Sequence, residues 1–130
     1  MSKQVLKLVS DAMKSLGLEY GFGEYSGNAQ GKIIYPYFVG EFTETESTTE
    51  DGLQESTVLL TGFSRDKWLT LENARESIEN YFNRVSGKTV ITDSGSGAAI
   101  FYANSMIVPT GDAELKSIQI NLNVKEWKVN

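Results

Sequence analysis

The sequence predicts an α+β domain in which a single, mostly antiparallel sheet carries two helices packed on one face. Apolar residues recur at helical spacing in residues 2–16 and 70–84, whereas β-branched and aromatic residues alternate along 32–65 and 88–129. The predicted order is therefore helix, hairpin, helix and meander. The chain has 130 residues, of which 40% are hydrophobic, so we assign residues 1–130 to one domain with its own core.

The first helix is predicted over residues 2–16 and ends before Gly17, a residue that favours helix termination. Its apolar face consists of Val5, Val9, Ala12, Met13 and Leu16. Residues 17–31 are predicted to be a loop anchored by aromatic side chains, because its many glycines would weaken a helix or a strand. The loop does not open a helix and lacks a Gly-Lys-Ser/Thr triplet, so packing or subunit contact is favoured over phosphate binding.

Residues 32–65 are predicted to form a long, protruding β-hairpin with an acidic tip. Two runs rich in β-branched and aromatic residues flank a polar segment that ends in Asp51-Gly52, a dipeptide typical of turns. Pro36 cannot donate to a ladder, so its strand should lie at an edge or be bulged there. We expect this arm to have little to bury in a monomer. The charged side chains inside it are all acidic: Glu41, Glu44, Glu46, Glu50, Asp51 and Glu55.

The second helix is predicted over residues 70–84, with Thr70 as its N-terminal cap. Residues 88–129 then read as a β-meander, because polar and apolar residues alternate in its last strand. Trp127 breaks this alternation. Either a bulge near Lys125 or packing of the strand end on another element would explain the break.

The composition argues against most catalytic chemistry. The chain has no cysteine and no histidine, which removes disulfides, thiolate nucleophiles and the commonest general base at neutral pH. Glu44 and Glu46 share a strand face, but a hairpin tip has no cleft that would raise a carboxyl pKa. Asp93 with Ser94, and Asp112 with Glu114, are explained by turn chemistry better than by a weak Ca²⁺ or Mg²⁺ site. We therefore expect no enzyme, no cofactor and no bound metal.

The net charge of −5 argues against a protein that grips nucleic acid through its phosphates. The N-terminal residues lack the apolar core and cleavage site of a signal peptide, and no run reaches about 18 apolar residues. We expect a cytosolic origin and no membrane partner.

The order of motifs resembles a known family. An amphipathic helix is followed by the strand YPYFVGE (35–41), a polar loop with Asp51-Gly52, the return strand STVLLTGFSR (56–65) and a second helix. This order resembles the tail terminator, or tail completion, and head–tail joining proteins of long-tailed bacteriophages and their prophages. The resemblance covers roughly Val5 to Phe82 as an ordered pattern and the remainder by strand count.

The resemblance implies a homo-oligomeric ring, typically a hexamer, at the head-proximal end of the tail tube. Such a ring stops tube polymerisation and offers a docking face to the head. The implied partners are further copies of the chain, the tail tube protein and the head–tail connector protein, with DNA passing through without specific binding. The implied location is the virion tail, assembled in the host cytoplasm.

A cyclic ring needs two different contact patches on each subunit. Aromatic residues are favoured at interfaces, which nominates Tyr20, Phe22, Tyr25, Tyr35, Tyr37 and Phe42. The six hairpin acids would suit a lumen or a rim, where like charge keeps DNA from adhering; otherwise they form a solvated tip that keeps the protein soluble.

Two other classes of function are compatible with the sequence. One is a small antiparallel adaptor or regulatory module that dimerises through its sheet, and the other is an enzyme or small-ligand binder that uses the glycine-rich loop. The mass of the assembled protein separates a ring from a dimer.

Overall fold

The computed structural model of the protein describes residues 3–44, 53–91 and 95–127. Within these ranges two helices and six strands follow one another. They are α1 (Lys3–Ser15), β1 (Glu19–Phe22), β2 (Tyr37–Glu44), β3 (Gln54–Ser64), α2 (Trp68–Phe82), β4 (Lys88–Ile91), β5 (Gly97–Val108) and β6 (Lys116–Trp127).

All six strands belong to one mixed sheet, in the order β1-β2-β3-β6-β5-β4. The pairing of β1 with β2 is parallel, and every other neighbouring pair is antiparallel. The sheet curls into a half-barrel, and α1 contacts both β1 and β5, which are far apart in the strand order. The α+β class and the mostly antiparallel sheet are therefore confirmed.

The core lies between the helices and one face of the sheet, which we call the helix face. Leu60 of β3 is the register partner of Ile120 in β6, and Leu122 is the next residue of β6 on the same face. None of these three side chains has exposed surface. The predicted apolar stripe of α1 is buried against them: Val5, Val9, Ala12 and Met13. Burying each large apolar side chain contributes about 1.5–3 kcal/mol, so this face holds the fold together.

Two glycines on the helix face make room for aromatic rings. Gly62 of β3 is the register partner of Phe38 in β2, and a Cβ at Gly62 would collide with the buried Phe38 ring. A Cβ at Gly40 would likewise collide with the hydroxyl end of Tyr20. Glycine is therefore required at both strand positions, because a side chain there would collide with a neighbouring aromatic ring.

The prediction that residues 17–31 form only a loop is wrong at its start. Glu19–Phe22 form β1, which pairs in parallel with Tyr37–Gly40. The backbone partners that β2 offers, together with the packing of Tyr20 against Gly40, override the weak strand preference of a segment that contains Gly21.

The predicted hairpin exists, but the described part of it is not a protruding arm. β2 and β3 pair from Tyr37↔Phe63 to Glu44↔Ser56, and β3 pairs along its whole length with β6. The hairpin strands also contribute Phe38 to the core. The prediction that they bury little was wrong because β3 lies in the middle of the sheet. The expected Asp51-Gly52 turn and acidic tip lie outside the described residues.

The first strand of the hairpin predicted from residue 32 begins later, at Tyr37. The Tyr35–Pro36 peptide bond is cis, and Pro36 has no N–H to donate to a ladder, so the strand starts directly after it. The second helix starts earlier than expected, at Trp68 with Lys67 at the cap position. The predicted Thr70 cap is wrong, because the helix begins before Thr70. The Thr70 hydroxyl instead donates to Asp66 Oδ2 at 2.8 Å.

Three antiparallel strands occupy the predicted meander, and its irregularity lies elsewhere than expected. β6 pairs with β3 without a break near Lys125, whereas the register between β5 and β6 shifts between Tyr102 and Asn104. The other explanation for Trp127, that the end of the strand packs on another element, is supported: Trp127 Nε1 donates to the Gly95 carbonyl at 3.0 Å.

Candidate subunit interface

The sheet face opposite the helices, which we call the open face, carries an aromatic cluster at one end. Tyr25 stacks on Tyr37 with ring centroids 4.6 Å apart. Tyr35 and Phe63 flank Tyr37 at 5.5 and 5.2 Å. The cluster unites three of the six predicted interface aromatics with Phe63, which the sequence reasoning missed although its strand parity matches that of Tyr37.

Tyr25 holds the glycine-rich segment onto the sheet. Its hydroxyl donates to Glu19 Oε1 at 2.9 Å and accepts from the Ile34 N–H at 3.2 Å. Burial raises the pKa of Tyr25 above its ordinary value. The rings of Tyr25 and Tyr37 largely cover each other and are only half-buried, which leaves Tyr35 as the exposed member of the cluster.

Several backbone donors at the end of the glycine-rich segment are used in local hydrogen bonds around Asn28. Asn28 Oδ1 accepts from the N–H groups of Gln30 and Lys32 at 3.0 and 3.1 Å. The Gly31 N–H donates to the Asn28 carbonyl at 2.9 Å. These contacts close a tight turn, and an anion would have to displace them, which argues against the phosphate-cradle interpretation.

Arg65 joins the aromatic cluster to the turn before β6. Its Nε donates to the Tyr35 hydroxyl at 3.4 Å, and its Nη1 lies 3.4 Å from Asp112 Oδ2. The Glu114 N–H donates to Asp112 Oδ1 at 2.9 Å, and this bond is the main cause of the lowered Asp112 pKa. The turn interpretation of Asp112 and Glu114 is thus supported by their contacts.

The other three predicted interface aromatics lie on the helix face. Tyr20 and Phe42 are partly buried against the core, and burial raises the pKa of Tyr20 to about 12. Phe22 is 44% exposed and lines a surface depression together with Leu6 of α1. Tyr20 and Phe42 are therefore packing residues, whereas Phe22 and Leu6 form an exposed apolar patch, which we call the β1 patch.

A second apolar patch, missed from the sequence, lies at the opposite side of the sheet. Met106 and Ile107 of β5 are 56% and 63% exposed. Ile107 and Trp68, the first residue of α2, line a depression of about 310 Å³. We call Trp68 and Ile107 the β5 patch, whereas Met106 lies on the open face, opposite Gln119 in the register. The patch could not be predicted from the alternation of β5, because the register shift after Tyr102 exchanges the helix face and the open face for the residues that follow.

Both edges of the sheet are stepped. On one edge β1 pairs only with Tyr37–Gly40, so β2 continues past it through Glu41–Glu44. On the other edge β4 pairs only with Gly97–Ile100, so β5 continues past it as far as Val108. Among the described strands, none pairs with the outer side of these two extensions.

The step on the β5 edge is set by the end of α2. The Tyr102 N–H donates to the Asn83 carbonyl at 3.0 Å. Arg84 Nη1 donates to the Ala103 carbonyl at 2.9 Å, and its Nε donates to Glu79 Oε2 at 3.0 Å. The chain therefore crosses the edge of β5 at Tyr102 and Ala103, and leaves the edge beyond them accessible.

The predicted lumen acids do not share one surface. Glu41 and Glu55 lie on the open face, since they alternate with buried residues of β2 and β3, whereas Glu44 is on the helix face. Glu55 is the register partner of Lys125, a basic residue. Glu46, Glu50 and Asp51 lie outside the described residues.

Comparison with protein-family models and with curated proteins returned no match. In the described parts of the chain, no helix is long and apolar enough to cross a membrane. Residues 3–44, 53–91 and 95–127 also contain no group of three acidic, cysteine or histidine side chains placed to hold a metal ion.

Proposed function

We propose that this protein is a non-enzymatic virion assembly protein of a long-tailed bacteriophage, similar to a tail terminator. In this proposal its copies form a ring, with a hexamer as the expected size, at the head-proximal end of the tail tube. The ring stops tube polymerisation and joins the tube protein to the head–tail connector protein. The virion tail is then its location, and DNA passes through the ring without specific binding.

The observation that carries the proposal is the pair of unlike edges on one sheet. A ring with cyclic symmetry needs a patch on one side of each subunit and a different, complementary patch on the other side. The β1 patch with Phe22 and the β5 patch with Ile107 lie at opposite sides of the strand order. Exposed large apolar side chains at both edges are a cost to an isolated monomer and are typical of association surfaces.

The order of elements supports the phage assignment, because the helix, paired strands, helix and meander occur in the order of the family that the sequence resembles. The acids Glu41 and Glu55 on the open face suit a surface that DNA passes without adhering. Replacing both with lysine should create affinity of the assembled ring for duplex DNA at low salt, which rising salt should abolish. Unchanged DNA binding would exclude these acids from a DNA-facing surface.

Two observations test the proposed function. Negative-stain microscopy of the concentrated protein should show closed rings of uniform diameter. Genes on either side of this one should encode a tail tube protein and a head connector protein. Particles no larger than a dimer, with neighbouring genes of metabolism, would instead support the adaptor module that dimerises through its sheet.

A further inference from the structure

The exposed side of α1 carries a basic stripe beside the β1 patch. Lys3, Lys7 and Lys14 are exposed and recur at spacings that place them on one side of the helix. Leu6 of the β1 patch lies one turn from Lys3, so apolar and basic side chains adjoin there. Lys7 pairs with Asp11 of the same helix, with Nζ and Oδ2 2.9 Å apart. Among the described residues, Lys3 and Lys14 have no carboxylate partner.

The exposed side of α2 carries an acidic stripe beside the β5 patch. Leu69, Glu72 and Glu76 are exposed and lie at successive turns of the helix, next to Trp68 of the patch. Glu72 is bound by Arg75, with Nη2 and Oε1 2.6 Å apart. Glu76 has no basic partner within the parts of the chain that the structure describes. Each patch therefore adjoins a charge without an internal partner, and the two charges have opposite signs.

The two patches lie at similar levels of the sheet. Successive register partners lead from β1 to β5 in the row Phe22, Gly40, Leu60, Ile120 and Ser105. Ile107 is the next residue after Ser105 on the same face, so it lies about 7 Å along the strand from this row. β4 pairs only with Gly97–Ile100 and does not cover β5 at this level.

Lys3 lies beyond one end of the β1 patch. Residues 16–18 join the end of α1 to the start of β1, whereas Leu6 and Phe22 line one depression near the other end of both elements. α1 therefore runs antiparallel to β1. Lys3 is one turn further on than Leu6, past the row that joins Phe22 to Ser105.

Glu76 lies beyond the β5 patch in the same direction. α2 begins at Trp68 beside Ile107, and Arg75 Nη1, about two turns later, donates to the Tyr102 hydroxyl at 3.1 Å. α2 and Glu76 therefore follow β5 from Ile107 towards Tyr102. In the register this is also the direction in which β1 runs.

We propose that neighbouring copies are joined by contact of α1 and the β1 patch of one copy with α2 and the β5 patch of the next, with Lys3 opposite Glu76. This inference rests on the proposed ring and names the side chains that would join its subunits. In copies placed side by side with their strands aligned, the two apolar patches meet at one level and the two charges meet beyond them. The contact has an apolar centre and a charged rim, which is typical of protein interfaces, and it requires no strand pairing between copies.

Charge favours this contact over the pairing of like surfaces. A two-fold contact through α1 would bring two basic stripes together, and one through α2 would bring together Glu76 of both copies; like charges placed together oppose association. The basic side chains near the β5 patch, Lys67 and Lys116, interact with Asp66 and are compensated there. A contact between unlike surfaces can continue around a ring, whereas a two-fold contact closes at the dimer.

Cross-linking of mixed single-cysteine variants tests the contact, since the chain has no native cysteine. Lys3→Cys and Glu76→Cys should give covalent dimers with a bismaleimide only when the two variants are mixed. Phe22→Cys and Ile107→Cys should do the same for the apolar patches. Ala29→Cys, in the exposed turn of the glycine-rich segment, is the control and should cross-link with none of the four. Dimers from single variants at the yield of the mixtures, or none from either mixture, would overturn the contact.

Exchange of the two charges gives an independent test. Lys3→Glu and Glu76→Lys should each raise the concentration for half-assembly, by roughly two- to thirty-fold per contact from the energies of exposed ion pairs and their reversal. The double exchange in one chain should restore assembly, because each contact again places an ammonium group opposite a carboxylate. Lys32→Glu, an exposed site with the same change of net charge, should leave assembly unchanged, and circular dichroism should show all four variants folded. Failure of the double exchange to restore assembly, or an equal effect of Lys32→Glu, would count against the contact.

The two proposals can fail separately. Rings of the native protein without the mixed cross-links would leave the proposed function standing and overturn this contact. Mixed cross-links in open filaments would support the contact and remove the ring. A native protein that stops at the dimer would remove the ring, and the cross-links would then decide the contact: dimers from the mixtures alone would support it, and their absence would overturn it.

Discussion

Replacement of Gly62 by alanine tests the packing that gives the sheet its shape. The new Cβ would lie 2.9 Å from Cδ1 and Cζ of Phe38, and closer still to Cε1, where carbon atoms normally approach to about 3.5–4.0 Å. Phe38 is fully buried, so its ring can move aside only by displacing neighbouring core side chains. Overpacking of this kind costs about 1–3 kcal/mol, whereas removing a glycine from a strand returns about 0.5–1 kcal/mol. We therefore expect a net loss of up to about 2.5 kcal/mol in the free energy of unfolding.

Urea unfolding followed by circular dichroism measures this loss, and a second variant makes the test specific. In a Phe38→Leu background the smaller side chain should admit the new methyl group, so that Gly62→Ala becomes neutral or stabilising. Thr61→Ala, on the opposite face of the same strand, should change stability by no more than about 0.5 kcal/mol. An equal cost of Gly62→Ala in both backgrounds would show that contact with Phe38 is not the reason for the glycine.

Three further predictions follow from the hydrogen bonds and pKa shifts. Hydrogen bonds from Arg75, and then from Arg84, lower the Glu79 pKa below its usual 4.5. The ionised Glu79 therefore stabilises the fold above pH 4.5, and this stabilisation is lost as the pH falls through the lowered pKa, so Glu79→Gln should flatten the fall of the urea midpoint in that range. An unchanged slope would count against the ion pairs. Alkaline titration of tyrosine absorbance should include one group near pH 12 that disappears in Tyr20→Phe; its persistence would reject the assignment. Asn28→Ala should speed amide hydrogen exchange at residues 28–32 without affecting β2 or β3, and unaltered exchange would show that the Asn28 side chain does not hold the turn.

The sequence predicted those parts of the fold that depend on local periodicity. The stripe of Val5, Val9, Ala12 and Met13 marks α1, and the alternation ending at Val124 marks the inner face of β6, because one buried face imposes a period on the residues. The strand β1 could not be predicted in this way, since Glu19–Phe22 is a strand only through its pairing with β2.

The candidate interface was predicted only in part, for a related reason. The sequence identified aromatic residues but could not separate Tyr20, which packs against Gly40, from Phe22, which lies exposed beside Leu6. The stepped edges were beyond sequence reasoning, because a step is a difference between the lengths of paired strands. That difference is defined only once the register of all six strands is known.

Native mass spectrometry over a range of protein concentrations tests the central claim most directly. The 14.4 kDa chain should convert from monomer to a single closed multiple greater than two, with no population that stops at the dimer. A closed multiple is what the proposed ring requires, because a joint between two different edges leaves an unpaired edge at each end of any open chain. A mass that stays at one or two copies up to the solubility limit would contradict the account.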